Sequence, residues 1–265
     1  MSNVKNLVRA AAITAAMLTA ASAASAAETT VNRPTIVMAH GAFAASDSWD
    51  AVSGILLDAG YPVISIANPL RGVAADAAHA RSIIDTIDSD VVLVGHSYGG
   101  PVIDTAANGA TNVKSLVFVA SFAPEKGETI AELSGKFPGG TLGEALAAPV
   151  PLGGGVHDLY IDQAKFHAQF AADLPIERTR LMAVAQRPVT DAALNEPLGD
   201  PSWKVLPSYH VFGTADKNIP VAAMQFMADR AGSRKTVTVE GASHVVMISH
   251  PQAVADLIIE AANAN

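Results

Sequence analysis

The sequence predicts an α/β fold in which a mainly parallel sheet is flanked by helices. Apolar runs such as 36–39 and 91–94 carry no polar residue, as is typical of strands that helices cover on both faces. Segments with helical spacing alternate with these runs, and β-α-β alternation produces parallel sheets with right-handed crossovers. The 265 residues are 50% hydrophobic and 16% charged, which suits one sizeable domain.

The first half of the chain contains four predicted strands joined by helices. The strands are expected at 34–39, 61–66, 91–94 and 115–119, and the connecting helices at 48–60, 74–87 and directly after Ser97. Gly60 is a usual C-terminal stop for the first helix. Because strand and helix alternate without interruption up to residue 119, these strands are predicted to form the body of one parallel sheet.

The alternation breaks between Pro124 and about Leu206. Glycine and proline are frequent from 138 to 155, and two helical patterns follow at 163–172 and 176–186. Their predicted apolar positions are Phe166, Phe170, Leu181 and Val184. We expect a helical cap insertion over about 125–206 that covers the carboxyl edge of the sheet, rather than a second domain.

Two further strands and two helices complete the predicted sheet. The strands are expected at 208–213 and 236–239, and the helices at 221–231 and 252–262. Each of the two strands is followed by a short loop that contains one ionisable candidate, Asp216 in the first and His244 in the second.

The N-terminal segment has the pattern of a secretory signal peptide. Lys5 and Arg9 precede an apolar run, and small residues suitable for cleavage follow up to Ala27. The apolar run is too short for a permanent membrane anchor. We therefore expect residues 1–27 to be removed, residues 28–265 to form one folded domain, and the mature protein to be periplasmic or secreted, without a membrane anchor.

Charge and cysteine content exclude several classes of function. The formal net charge is −8, and a protein without a basic cluster is a poor ligand for nucleic acid or anionic membranes. The sequence contains no cysteine, which excludes thiol catalysis and cysteine-bound metals. The core, rather than disulfides, must stabilise the exported protein.

The motif Gly95-x-Ser97-x-Gly99 follows the buried strand at 91–94 directly. A sharp strand-to-helix turn needs small residues two before and two after the nucleophile, because the backbones approach closely there. Pro101 fits the first turn of the helix that follows. This context makes Ser97 the candidate nucleophile, exposed at a helix N-terminus.

A serine hydroxyl needs a base, and the base needs an acid to orient it. His244 and Asp216 lie beyond the carboxyl ends of late strands and give the chain order Ser, Asp, His. Glu125, after the fourth strand, is the competing acid, but it sits in a charged turn, so Asp216 is preferred.

An oxyanion needs two donors at the same edge of the sheet. The N–H of Tyr98 supplies one, and the loop after the first strand supplies the second through Ala42 or, less favourably, Phe43. The remaining histidines are expected to be structural or at the surface: His96 under the turn, His250 at a helix start, and His79, His157, His167 and His210 on the surface or partly buried. None has the spacing of a metal motif.

Six segments together resemble a known family. They are 40–43 (HGAF), 95–100 (GHSYGG), 118–125 (FVASFAPE), 186–188 (QRP), 216–220 (DKNIP) and 241–244 (GASH). The sequence resembles the α/β-hydrolase superfamily, and within it is similar to the small esterase and hydroxynitrile lyase branch that includes the plant methylesterases. The resemblance implies Ser97 as nucleophile, His244 as base, Asp216 as orienting acid, and Ala42 and Tyr98 as oxyanion donors.

The resulting expectation is a serine hydrolase, carboxylesterase-like, that needs no cofactor and acts on small, largely apolar esters through an acyl-enzyme. A haloperoxidase or lactonase with the same triad, and a ligand-sensing module with negligible turnover, remain as alternatives. In the lyases of the resembled branch, a lysine follows the catalytic histidine and a threonine replaces the glycine of the His-Gly turn. This chain has Val245 and Gly41 there, which favours an esterase.

Overall fold

The computed structural model describes residues 33–264. The predicted signal peptide, residues 1–27, lies outside the described residues. Within them, six strands form one parallel sheet. These are β1 (Thr35–Ala39), β2 (Val63–Ile66), β3 (Val91–His96), β4 (Val113–Val119), β8 (Ser208–Gly213) and β9 (Lys235–Val239). The predicted α/β fold with a mainly parallel sheet is confirmed, with strand ends within about two residues of those expected.

The strand order is β2-β1-β3-β4-β8-β9. The chain runs outward from β1 to β2 and then returns to place β3 on the other side of β1. At such a reversal the loops after neighbouring strands diverge and leave a crevice beyond their carboxyl ends, where ligands of open α/β sheets bind. Here the loops after β1 and β3 carry Gly41 and Ser97. All residues of both strands are buried.

Helices cover both faces of this sheet. They are α1 (Asp50–Asp58), preceded by a 3-10 turn at Ser46–Trp49, α2 (Val73–Ile84), α3 (Gly99–Ala107), α9 (Val221–Arg230), α10 (Val246–Ser249) and α11 (Pro251–Asn263). The long helix α11 packs on α1 and across β3, β4 and β8, whereas α2 and α3 pack on each other. Among the described residues, no helix has the length and apolar character needed to cross a membrane.

The segment between β4 and β8 forms the cap. Its elements are α4 (Ile130–Gly135), α5 (Leu142–Ala145), β5 (Val150–Gly153), β6 (Val156–Leu159), α6 (Gln163–Phe170), α7 (Ile176–Ala185), β7 (Val189–Thr190), α8 (Asp191–Leu194) and a 3-10 turn at Ser202–Lys204. The expectation of a purely helical cap was incomplete, because β5, β6 and β7 form an antiparallel sheet. Gly153, Gly154 and Gly155 all have positive φ, and they make the hairpin turn of a stretch expected to be a loop.

The two helical patterns of the cap correspond to α6 and α7, but the two apolar positions of α7 are not buried. Phe166 and Phe170 of α6 are fully buried, whereas Leu181 and Val184 are 73% and 71% exposed. The buried residues of α7 are Thr179 and Ala183. Small residues let α7 approach α6 closely, and the Thr179 hydroxyl lies 3.1 Å from Nδ1 of His167. The face of α7 with small side chains therefore packs on α6, and the face with Leu181 and Val184 lies outside.

His210 also differs from its predicted place. It was expected at the surface or partly buried, but it is only 2% exposed. Its ring stacks on Phe118 at 4.8 Å between centroids, and Nδ1 lies 3.1 Å from the Ser233 hydroxyl. Burial lowers the pKa of His210 to about 3, so this histidine is a neutral core residue of β8.

Candidate active site

Ser97 stands at the turn between β3 and α3, but the expectation that it is exposed was wrong, because it is only 7% exposed in the folded protein. Its φ is +52°, a left-handed conformation that is strained for a residue with a side chain. The turn is held by two hydrogen bonds: Ser97 N–H donates to Val119 O at 3.2 Å, and the Ser121 hydroxyl donates to Ser97 O at 2.7 Å. Strain of this kind persists where the surrounding structure fixes it, which marks Ser97 as a candidate functional residue.

Glycines at the turn are required by contact distance. A β-carbon on Gly95 would lie 2.6 Å from Gly100 Cα, and one on Gly99 would lie 2.4 Å from Ala39 O. Real β-carbons essentially never come this close. The motif read from the sequence therefore has the steric basis that was predicted for it.

His244 and Asp216 form a buried hydrogen-bonded pair. His244 Nδ1 lies 2.7 Å from Asp216 Oδ2, and their side chains are 1% and 0% exposed. The other carboxylate oxygen, Oδ1, accepts the N–H groups of Asn218 at 2.7 Å and Ile219 at 3.0 Å. Since Nδ1 is committed to Asp216, Nε2 is the nitrogen of His244 left to exchange a proton with another group.

Glu125, the competing acid, has other partners. Its carboxylate lies 2.5 Å from Lys204 Nζ and accepts the N–H of Lys126 at 2.9 Å. The hydrogen bond from Lys204 lowers the pKa of Glu125. The structure thus places Asp216, and not Glu125, against His244.

His96 joins the loop after β1 to the loop of His244. Its Nδ1 accepts the N–H of Gly41 at 3.3 Å, and its Nε2 lies 3.1 Å from the carbonyl oxygen of His244. Burial, and then the neighbouring His244, lower the pKa of His96 well below its ordinary value. A neutral imidazole with the proton on Nε2 satisfies both contacts. The sequence predicted a place under the turn for His96 but not this bridge.

His40 fixes the turn that carries Gly41 and Ala42. Its Nδ1 donates to Gly41 O at 2.9 Å, and its Nε2 accepts the N–H of Asn68 at 3.1 Å. The Asn68 amide in turn donates to His40 O at 2.9 Å. Burial lowers the pKa of His40 to about 4, so the ring is neutral near pH 7. Sequence reasoning missed Asn68, which lies at the end of the second strand with no motif around it.

Ser97, Ala42 and Tyr98 line one small cavity beneath the cap. Most of the other lining side chains are apolar: Phe43, Phe122, Ile130, Leu142, Val189, Leu194 and Ile219, with Ser134 and Asn218 as polar members. The cavity therefore brings the predicted nucleophile and both predicted oxyanion residues to one place. An enclosed, mostly apolar site with few polar groups is typical of small-molecule binding.

The Tyr98 side chain is anchored by its hydroxyl. The O–H donates to Asp76 Oδ2 at 2.8 Å, and Tyr98 is 1% exposed. Asp76 also accepts the N–H of Arg71, and burial raises the pKa of both Tyr98 and Asp76.

Within residues 33–264, no three His, Asp or Glu side chains are grouped as metal ligands.

The model of the alpha/beta hydrolase family matches residues 36–257. That match spans most of the chain, which therefore belongs to this family, and the resemblance read from its motifs is confirmed. An alpha-hydroxynitrile lyase of Arabidopsis thaliana is 26% identical over 242 residues, covering 83% of this chain and 93% of that protein. Methylesterase 8 of the same plant is 24% identical over 251 residues, covering 86% and 89%.

Solved structures agree on the fold. The crystal structure of polyneuridine aldehyde esterase has a TM-score of 0.74 at 17% identity, with coverage of 86% of this chain and 98% of that one. Family and relatives together support a hydrolase that acts on small esters.

Proposed function

We propose that the protein is a serine hydrolase that cleaves small carboxylic esters through an acyl-enzyme on Ser97. One observation carries the proposal: a strained serine follows β3 at the same carboxyl edge of the parallel sheet where the loops after β8 and β9 hold a buried Asp216–His244 pair bonded at 2.7 Å. A serine, a histidine and an acid in these roles make up the machinery of acyl transfer on several unrelated folds.

In the proposed reaction, Ser97 Oγ attacks the ester carbonyl carbon and its proton passes to Nε2 of His244. Asp216 holds the proton on Nδ1 and stabilises the imidazolium that forms. Collapse of the tetrahedral intermediate breaks the bond to the alcohol, which leaves with the proton from Nε2. A water molecule then gives a proton to the same nitrogen and attacks the acyl carbon. Collapse of the second tetrahedral intermediate breaks the bond to Ser97 Oγ and releases the carboxylic acid, and the proton on Nε2 returns to Ser97 Oγ.

The N–H groups of Ala42 and Tyr98 are proposed to receive the negative charge of the carbonyl oxygen. Both residues line the cavity that contains Ser97, and Tyr98 directly precedes α3, where the helix dipole favours an anion. Preorganised donors of this kind are worth about 3 kcal/mol of transition-state stabilisation each.

The cavity lining supports a small, largely apolar substrate. Eight of its twelve lining residues are aliphatic or phenyl side chains, and no charged side chain lines it. Val245, next to His244, is fully buried and offers no cation to a departing cyanide. Ester hydrolysis therefore fits this site better than cyanohydrin cleavage.

Export of the protein is part of the proposal and is supported by the pattern of residues 1–27. Intact mass of the protein recovered from the periplasm or medium tests it, since cleavage near Ala27 is expected. Recovery of the full-length chain in the cytoplasm alone would contradict export without affecting the proposed reaction.

The reaction is tested with p-nitrophenyl esters of graded acyl length and with methyl esters. Multiple turnovers are expected for acetate or butyrate esters, and none above background for Ser97→Ala. A ligand-sensing module would give at most one turnover. A lactonase would hydrolyse a lactone, assayed beside the panel, faster than every acyclic ester in it.

A further inference from the structure

The end of α6 and the turn that follows it, residues 169–173, contact both loops that carry the His244–Asp216 pair. The Phe170 ring lies against the His244 imidazole, with 5.2 Å between centroids. Two polar side chains flank this contact, Gln169 on the side of the Asp216 loop and Asp173 on the side of the His244 loop. Neither residue belongs to a motif of the sequence.

Gln169 holds the Asp216 loop. It is 7% exposed, and its amide donates to Lys217 O at 2.9 Å and to Asn218 Oδ1 at 2.8 Å. Asn218 N–H in turn donates to the Asp216 oxygen that does not face His244. The Gln169 carbonyl accepts the Thr141 hydroxyl at 2.9 Å, so the side chain is held at both ends.

Asp173 holds the His244 loop. One carboxylate oxygen accepts the N–H of Ser243 at 3.0 Å, and the other accepts the Ser243 hydroxyl. Partial burial alone would raise the pKa of Asp173, but hydrogen bonds led by that of Ser243 outweigh it and lower the pKa. The carboxylate is thus a charged acceptor directly beside the residue that precedes His244, and charge-assisted bonds are the stronger kind.

We propose that Gln169 and Asp173 are positioning residues that fix the His244 imidazole against Asp216, and so toward Ser97, from the cap. This inference rests on the proposed function for its kinetic consequence. The geometric part, the alignment of His244 with Asp216, does not depend on which substrate is turned over.

The two contacts act on the parts of the loops nearest the reacting groups. Asp216 and His244 lie on loops after different strands, and these loops bond to each other where they begin, through Ala215 N–H to Ala242 O at 3.0 Å and Gly241 N–H to Thr214 Oγ1 at 2.8 Å. Gln169 and Asp173 are four residues apart on one cap segment, so this segment holds both loops in fixed positions relative to each other. A misplacement of about 1 Å at a catalytic group can cost about 100-fold in rate.

The test replaces Asp173, which is exposed, so that its removal leaves no internal cavity. Asp173→Ala is expected to lower kcat about 10- to 100-fold with KM changed less than about twofold. Asp173→Asn, which retains one acceptor, is expected to fall between Asp173→Ala and the wild type. The matched control is Asp162→Ala on the same helix, which removes the N-cap bond to Ala164 and touches neither loop.

Asp162→Ala should lower the melting temperature but leave kcat unchanged, because it weakens α6 without altering its contacts to the loops. Unchanged kcat in both Asp173 variants would overturn the proposal. So would an equal loss of kcat in Asp162→Ala, since the effect would then be one of cap stability.

A spectroscopic readout keeps the inference separable from the proposed reaction. The far-downfield proton resonance of the His244 Nδ1–H reports its bond to Asp216, and Asp216→Asn assigns it. We expect this resonance to shift or broaden in Asp173→Ala and in Gln169→Met, and to be unchanged in Asp162→Ala. If the wild type hydrolyses no ester, this comparison still decides the positioning role, and an unchanged resonance in both variants contradicts it.

Discussion

Gly41 faces Ser97 so closely that a β-carbon on Gly41 would lie 2.6 Å from Ser97 Cβ. The same atom would lie 2.8 Å from His96 O and 2.9 Å from His96 Nδ1. The loop after β1 therefore reaches the nucleophile only because it has no side chain at this position. Ala42, whose N–H is a proposed oxyanion donor, is placed by this approach.

Gly41→Ala is predicted to lower kcat/KM by about 100-fold or more, because the clash moves the loop and misplaces the Ala42 N–H. Gly54→Ala is the matched control, since a β-carbon there meets nothing within 4 Å. In α1 that substitution should leave activity intact and stabilise the protein by about 0.5–1 kcal/mol. Full activity of Gly41→Ala on p-nitrophenyl esters would remove the loop from the mechanism.

Asp216→Asn is predicted to reduce kcat by about 10³- to 10⁴-fold with little change in fold, because an amide cannot hold the proton on Nδ1 of His244 and stabilise the imidazolium. Glu125→Gln is the control, since Glu125 pairs with Lys204 at the surface. That variant should keep kcat within about twofold, as surface ion pairs contribute little. Steady-state kinetics compare the two, and the reverse order of losses would make Glu125 the acid.

This protein is predicted not to accelerate the cleavage of mandelonitrile, although one relative is an alpha-hydroxynitrile lyase. Val245 is buried and apolar, so nothing beside His244 stabilises a departing cyanide. Cyanide release should equal the buffer rate at an enzyme concentration that hydrolyses p-nitrophenyl butyrate. Cyanide release by the wild type that disappears in Ser97→Ala would contradict the esterase assignment and indicate a lyase.

Asp104 predicts a pH dependence of stability. It is 4% exposed in α3 and accepts the Trp203 N–H at 3.0 Å, and burial raises its pKa to about 7. The Asp104 carboxylate thus binds a proton more tightly in the folded state than in the unfolded chain, where the pKa of an aspartate is about 3.9. This contribution is present below about pH 4 and is lost as the pH rises to about 7.

Asp104→Asn removes that titration and retains an acceptor for the Trp203 N–H. The melting temperature of the variant minus that of the wild type should increase as the pH is raised from about 4 to about 7.5, and should be constant at higher pH. Thermal unfolding in a pH series measures the difference. A constant offset across the series would show that Asp104 does not bind a proton in the folded protein.

The centre of the sheet could be predicted from sequence because β1 and β3 are buried along their whole length and contain uninterrupted apolar runs. Part of the cap could not, since β5 and β6 are exposed or half-buried strands of four residues with little periodic signal. The exposure of Leu181 and Val184 in α7 could not be predicted for a related reason. Their helical spacing does not show which face of the helix is buried, because the packing of α7 on α6 decides that.

The candidate site divides in the same way. Ser97 stands in a local motif that can be recognised before the fold is known. The contacts of His96, Gln169 and Asp173 link residues 148, 49 and 70 positions apart, and no local pattern marks such pairs. Sequence reasoning therefore reached the proposed reacting groups and missed the residues that hold them in place.

The central claim is that Ser97 forms an acyl-enzyme. The most direct measurement is covalent trapping: a fluorophosphonate, or rapid acid quench during turnover of p-nitrophenyl butyrate, followed by peptide mass spectrometry. We predict stoichiometric modification of the peptide that contains Ser97, on Ser97 Oγ, and none in Ser97→Ala. Ester turnover that persists in Ser97→Ala, or an adduct on another residue while Ser97 stays free, would contradict the account.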